Sequence, residues 1–192
     1  MTQLSLKNQN VDRSVEVLIK KIRCRAENLF TTKQLMCSEA VLAVLNQGLK
    51  GGLSPEIAVR LTSGLPEGFG GSGCTCGALS AGIISLGLFL GRNGPGFFNN
   101  RTVCRASKEL HDRFKTHFGA TCCRVLTKNI KLGTKSYYRL CAQKAGTVAE
   151  QAARLILEQK SELLDTADWT YVNRTDSNIG GRIQQLTNTF RS

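Results

Sequence analysis

The sequence predicts an all-α protein: a compact bundle of about five to seven helices with a central buried apolar helix at about 76–91 and a loosely packed C-terminal tail. Three observations carry this expectation. Apolar residues recur at three- and four-residue spacing in several stretches. Glycine and proline breaks separate those stretches. No segment of useful length alternates apolar and polar residues as a half-buried strand does. The 192 residues, 41% of them hydrophobic, are enough for one domain with a core. That domain is expected as a helical redox unit over 1–160, followed by an extension or tail over 161–192.

Val15, Leu18, Ile19, Ile22, Ala26 and Leu29 repeat at helical spacing, so 13–30 reads as an amphipathic helix that contains Cys24. A second helix runs from about Cys37 to Gln47 and stops at Gly48, with Gly51-Gly52 beyond it. Ser54-Pro55-Glu56 offers a cap followed by proline at the first helical position, which opens a short helix ending near Gly64. Gly68-Phe69-Gly70-Gly71-Ser72-Gly73 is too glycine-rich for the interior of an element and reads as a loop. It leads into a helix near Cys76 that is apolar on every side, the mark of a buried one. After the break at Asn93-Gly94-Pro95-Gly96, a helix over 101–117 turns Val103, Ala106, Leu110 and Phe114 inward and ends at Gly119. A turn at 122–126 and a basic loop precede a long helix over 137–160, with Cys141, Ala145, Val148, Ala152 and Ile156 on one face. Beyond Asp165 the chain is polar, with Trp169 and Tyr171 as its expected anchors.

The formal net charge of +12 is uneven, because 97–145 holds eleven Lys/Arg against two Asp/Glu. Such a surplus suits an acidic partner protein or an anionic cofactor as well as nucleic acid. Three Tyr and one Trp are few for stacking bases, which disfavours nucleic acid as a partner. The uncharged run 68–91 has a truly apolar part of only about 13 residues, too short to span a bilayer. The polar start of the chain does not read as a secretory leader, so a cytoplasmic location is expected. In a reducing compartment, eight cysteines point to metal or redox chemistry rather than structural disulfides.

Cys37, Cys76, Cys141 and one of the adjacent Cys122–Cys123 pair lie on or beside apolar helical segments, and they form the candidate site. Cys37 and Cys76, with Cys123 as a further candidate, fall at expected helix starts, where the dipole and free N–H groups favour the thiolate. Cys24 and Cys104 sit singly on regular helices and are expected to pack as small apolar residues. No C-x-x-C occurs, so neither a thioredoxin-like pair nor a zinc ribbon is supported. His111 and His117 lie on a basic helix and suit a surface role.

Four pieces together resemble the C-GCAxxG-C-C family of redox-active proteins over roughly 34–158. They are Cys37-Ser38-Glu39-Ala40-Val41, Cys76-Gly77-Ala78-Leu79-Ser80-Ala81-Gly82, Phe118-Gly119-Ala120-Thr121-Cys122-Cys123-Arg124, and Cys141 on the last long helix. The resemblance implies four characteristic cysteines, Cys37, Cys76, Cys123 and Cys141, with Cys123 chosen over Cys122 because it directly precedes Arg124. Cys74 and Cys122 are extra thiols that stand as substitutes. A similar domain accompanies haems in split-Soret cytochromes, where an iron–sulfur centre is associated with it. This chain lacks C-x-x-C-H and should attach no c-type haem.

The leading expectation is therefore an electron carrier or redox accessory protein rather than an enzyme. It would hold an iron–sulfur cluster, [2Fe–2S] first, on those four thiolates. Gly77 and its small neighbours are expected to let neighbouring backbones or the cluster approach closely. The alternatives are a metal-free thiol–disulfide protein with Cys76 as nucleophile, a zinc site, and a basic nucleic-acid-binding module with packed cysteines. The expected partner is an acidic redox protein, with a homodimer also compatible.

Overall fold

A computed structural model describes residues 3–96 and 100–177, with side chains from Asp12 onward. Ten helical segments follow one another in that span: α1 (Gln3–Thr31), α2 (Cys37–Gly48), α3 (Pro55–Thr62), α4 (Pro66–Phe69), α5 (Gly77–Leu90), α6 (Arg101–Phe118), α7 (Cys123–Thr127), α8 (Lys135–Gln159), α9 (Leu163–Thr166) and α10 (Trp169–Asn173). Among the described residues the only extended pairing is a single antiparallel bridge between Thr75 and Cys122. The all-α expectation holds.

The helices form where the periodicity places them, with α1 beginning well before residue 13. Its stripe of Leu18, Ile19, Ile22, Ala26 and Leu29 is buried against α8, which in turn packs on α2, α5 and α6. Cys141, Ala145, Val148, Ala152 and Ile156 on α8 are all buried, as their spacing requires. On α2 the motif residues divide their work. Glu39 accepts from the Met36 backbone N–H at 2.8 Å and closes the first turn. The Ser38 hydroxyl donates to the Thr62 carbonyl at 2.9 Å, and Ala40 and Val41 enter the core.

The α5 helix lies between α2, α6 and α8, although Ile84 on its outer edge remains 37% exposed. Gly82 sets its closest approach. A methyl group there would stand 2.5 Å from Val148 Cγ1 and 2.9 Å from Leu110 Cδ2, so any larger residue pushes three helices apart.

The C-terminal extension divides in two. Residues 178–192 lie outside the described residues, whereas the segment through 177 is docked rather than loose. The Asp168 N–H donates to the Gly48 carbonyl at 2.9 Å, and Val172 is buried against α1 and α2. Trp169 is not the anchor expected, since it stays 36% exposed. The anchor is a buried polar knot. Arg25 pairs with Asp176 at 2.7 Å and lies over the Tyr171 ring. Asn28 bonds the Asp176 backbone in both directions, and Gln34 donates to its carboxylate at 2.9 Å.

Burial opposes ionisation of Asp176. Hydrogen bonds from Gln34, Arg25 and Arg174 outweigh it and hold the carboxyl at about 2. The native state therefore binds this proton less readily than the unfolded chain does. The stabilisation is complete above the ordinary value of 3.8 and is lost as pH falls from there through about 2. Asp176→Ala leaves Arg25 buried without its partner and should cost about 3 kcal/mol in urea unfolding. It should also flatten the acid limb of the stability profile between those two pH values. Unchanged stability in both measurements would mean that the extension is not held by this pair.

Candidate thiol site

Two loops far apart in sequence create the site. The stretch 73–76 pairs antiparallel with 121–124: Cys76 N–H donates to Thr121 O (2.8 Å), Cys123 N–H to Cys74 O (2.6 Å) and Arg124 N–H to Gly73 O (3.0 Å). Side chains alternate across such a pairing, so Cys76 and Cys123 share one face while Thr75 and Cys122 take the other. Cys76 and Cys123 are buried in consequence. Cys122 is half-buried on the opposite face, its thiol donating to Gly73 O at 3.2 Å, and Cys74 is exposed. The Arg124 guanidinium reaches back to Ser72 O at 2.8 Å and clamps the glycine loop.

That loop is bent to a purpose. Glu67, Gly68, Phe69, Gly70 and Gly71 all have positive φ, from 57° to 87°. Glu67 and Phe69 are not glycine, so this left-handed turn costs about 1–2 kcal/mol for each of them. Gly68 cannot be replaced cheaply, because a Cβ there would sit 2.5 Å from the Cys74 nitrogen. What the turn achieves is local: it aims the Glu67 backbone N–H at the sulfur of Cys37, the first residue of α2.

Cys76 stands at the N-cap position of α5 without a side-chain cap bond, and the nearby backbone N–H groups of Leu79 and Ala78 favour its charged form. Cys141 comes from α8 one turn after Tyr137, whose hydroxyl favours its charged form. Tyr137 O–H donates onward to Glu67 Oε1 at 3.2 Å. The four sulfurs of Cys37, Cys76, Cys123 and Cys141 lie close enough to feel one another's charge, and all four side chains are buried. The four thiols singled out from sequence thus share one neighbourhood.

Their protonation overturns one expectation. Burial pushes Cys37 up to about 12 and Cys141 up to about 11, and it raises Cys76 and Cys123 as well. At Cys76 the helix N–H groups pull the other way and lose. Desolvation outweighs the helix terminus, so these are neutral thiols and not activated thiolates. Gly77 lets a neighbouring backbone approach closely, because a Cβ there would lie 2.5 Å from the Leu65 carbonyl oxygen. Its smallness serves the contact between α5 and the 65–66 backbone.

Lys144 was not singled out from sequence. It is only 1% exposed, its Nζ has no hydrogen-bond partner, and it faces Cys76, Cys123 and Cys141. A lysine one turn beyond Cys141 on the apolar stripe of α8 was the available signal. Cys24 and Cys104 are exposed rather than packed, since a step of two residues from buried Ile22 and buried Ala106 carries each to the far side of its helix. His111 and His117 are surface residues, one paired with Asp112 at 2.9 Å and the other edge-on to Phe118.

The donor set is soft, all sulfur, shielded from water and accompanied by an unpartnered ammonium, which fits a four-thiolate metal group. The neutral thiols are not drawn together around one point: among the described residues, no three Cys, His, Asp or Glu side chains form a group that could hold a metal ion as they stand. Among those residues, too, no helix is long and apolar enough to cross a membrane.

A family model described as "Putative redox-active protein (C_GCAxxG_C_C)" matches residues 35–155, well over half of the chain. The match embraces all four buried cysteines. No curated protein and no solved structure matches the chain.

The raised thiols make a direct prediction. In metal-free, reduced protein at pH 7.5, N-ethylmaleimide should label Cys24, Cys74 and Cys104 fast, and Cys37, Cys76, Cys123 and Cys141 only on unfolding, as read by peptide mass spectrometry. The neutral thiols stabilise the fold below the ordinary value of 9.0 and lose that contribution as pH rises through about 12, so stability should fall on the alkaline side. Rapid labelling of Cys76 in the folded protein would contradict this picture.

Proposed function

The chain belongs to the C_GCAxxG_C_C family of redox-active proteins, and on that premise we propose that it holds an iron–sulfur cluster, [2Fe–2S] first, and serves as an electron carrier. The cluster's ligands would be Cys37, Cys76, Cys123 and Cys141. One observation carries the reading: four thiols from separate elements are buried together, kept neutral, and accompanied by a buried ammonium. Neutral buried thiols are poor nucleophiles, and a metal that displaces their protons turns that arrangement into an anionic ligand set. When bound, such a cluster supplies a one-electron couple held by cysteine thiolates.

The chain's own groups would serve that centre in separable ways. The Glu67 N–H on Cys37 and the Leu79 and Ala78 N–H groups on Cys76 stabilise sulfur in its charged form. The pairing of 73–76 with 121–124 keeps Cys76 and Cys123 on one face. Tyr137 steadies Cys141 and is itself held by Glu67. Cys122 is committed to Gly73 O and is a poorer candidate than Cys123. The exposed basic residues of α6 and of the loop before α8 would suit an acidic redox partner.

The metal-free alternative, in which Cys76 cycles with a resolving thiol, is weakened by the raised Cys76 thiol. Protein purified under argon should be coloured, with iron and acid-labile sulfide in about equal amounts. Serine at 37, 76, 123 or 141 should remove most of both, while Cys24→Ser and Cys104→Ser should change neither. Colourless protein that loses two thiols on mild oxidation would favour the dithiol reading. Bound zinc without iron would favour a zinc site.

A further inference from the structure

We infer that Lys144 is the fixed cation of the four-sulfur site, a positioning residue whose ammonium offsets the charge gathered on the sulfurs of Cys76, Cys123 and Cys141. This rests on the cluster reading above and deepens it. Three observations converge on the lysine. It stands on α8 at positions Tyr137, Cys141, Lys144 and Val148, which recur every three or four residues and so share one face. It is 1% exposed, and its Nζ finds no hydrogen-bond acceptor among the described residues. Glu67, the carboxylate whose charge acts on Cys123 and Tyr137, is engaged by the Tyr137 hydroxyl at 3.2 Å.

A buried ammonium without a partner is costly, and an apolar residue of the same volume would pack better. The cost is offset once the surrounding sulfurs become thiolates. Four thiolates around two ferric ions and two sulfides leave the group at a net charge of about −2, and taking one electron from an external reductant adds another negative charge. A cation fixed beside the sulfurs therefore favours the reduced form. Lysine suits this role because it is a point charge on a flexible stem that reaches from the helix to the sulfur side of the pocket.

The test compares wild type, Lys144→Met and Lys144→Arg. In metal-free protein, Lys144→Met should melt at a higher temperature than wild type, because it removes the unpartnered group. In cluster-loaded protein, a dithionite titration with mediators should show Lys144→Met about tenfold less reduced at a fixed poise, equivalent to about 59 mV for a one-electron couple. Lys144→Arg, which keeps the charge, should retain most of the wild-type potential. A lower melting temperature for metal-free Lys144→Met would make the lysine an ordinary structural residue and overturn the inference. So would a cluster of unchanged potential in that variant, or an arginine variant shifted as far as the methionine one. Wild-type protein that binds neither iron nor sulfide removes the cluster reading and this inference together, whereas a failure confined to the variants removes the inference alone.

Discussion

The site depends on a short antiparallel pairing inside an otherwise helical molecule. Three backbone hydrogen bonds join 73–76 to 121–124 and bring together two loops that are distant in sequence. Because side chains alternate along extended backbone, the pairing also decides that Cys123, and not Cys122, shares the face of Cys76. Slipping the 121–124 segment by one residue would exchange Cys123 for Cys122 on the face of Cys76. The glycine loop and Arg124 secure that register from outside the core, the loop by its left-handed turn and the arginine by its bond to Ser72. Helix packing then delivers Cys37 from α2 and Cys141 from α8 to the same place.

Desolvation determines what chemistry such a pocket can carry. A thiol at a helix start in water is inclined to ionise, and three of these thiols are at helix starts. Removing them from water reverses the balance, since the N–H groups offered to Cys37 and Cys76 do not repay the loss of solvent. The pocket is thus poorly suited to thiolate attack and well suited to a ligand that brings positive charge with it. An ammonium, and no carboxylate, is buried on the sulfur-facing stripe of α8.

Much of this was legible in the sequence. Helix boundaries followed from Gly48, Ser54-Pro55, Gly119 and the stripe Cys141–Ala145–Val148–Ala152–Ile156, because caps and periodicity are local properties. Cys37, Cys76, Cys123 and Cys141 could be singled out because motif residues surround them. The reasons behind the motif were not visible. That Gly77 is small was plain, but not that the backbone it admits is the Leu65 carbonyl. Glu39 and Ser38 stood in the motif without an assigned role and are a helix cap and a tether to Thr62. The raised thiols, the partnerless Lys144 and the knot of Arg25 with Asp176 arise from packing between remote segments, which no local pattern records.

The most direct test of the account is an anomalous difference map, measured at the iron edge, from crystals grown without oxygen. The account predicts density among the sulfurs of Cys37, Cys76, Cys123 and Cys141, with those side chains drawn inward from their neutral positions. Iron density at a surface site, or well-ordered crystals in which the four sulfurs pack as free thiols with none between them, would contradict it.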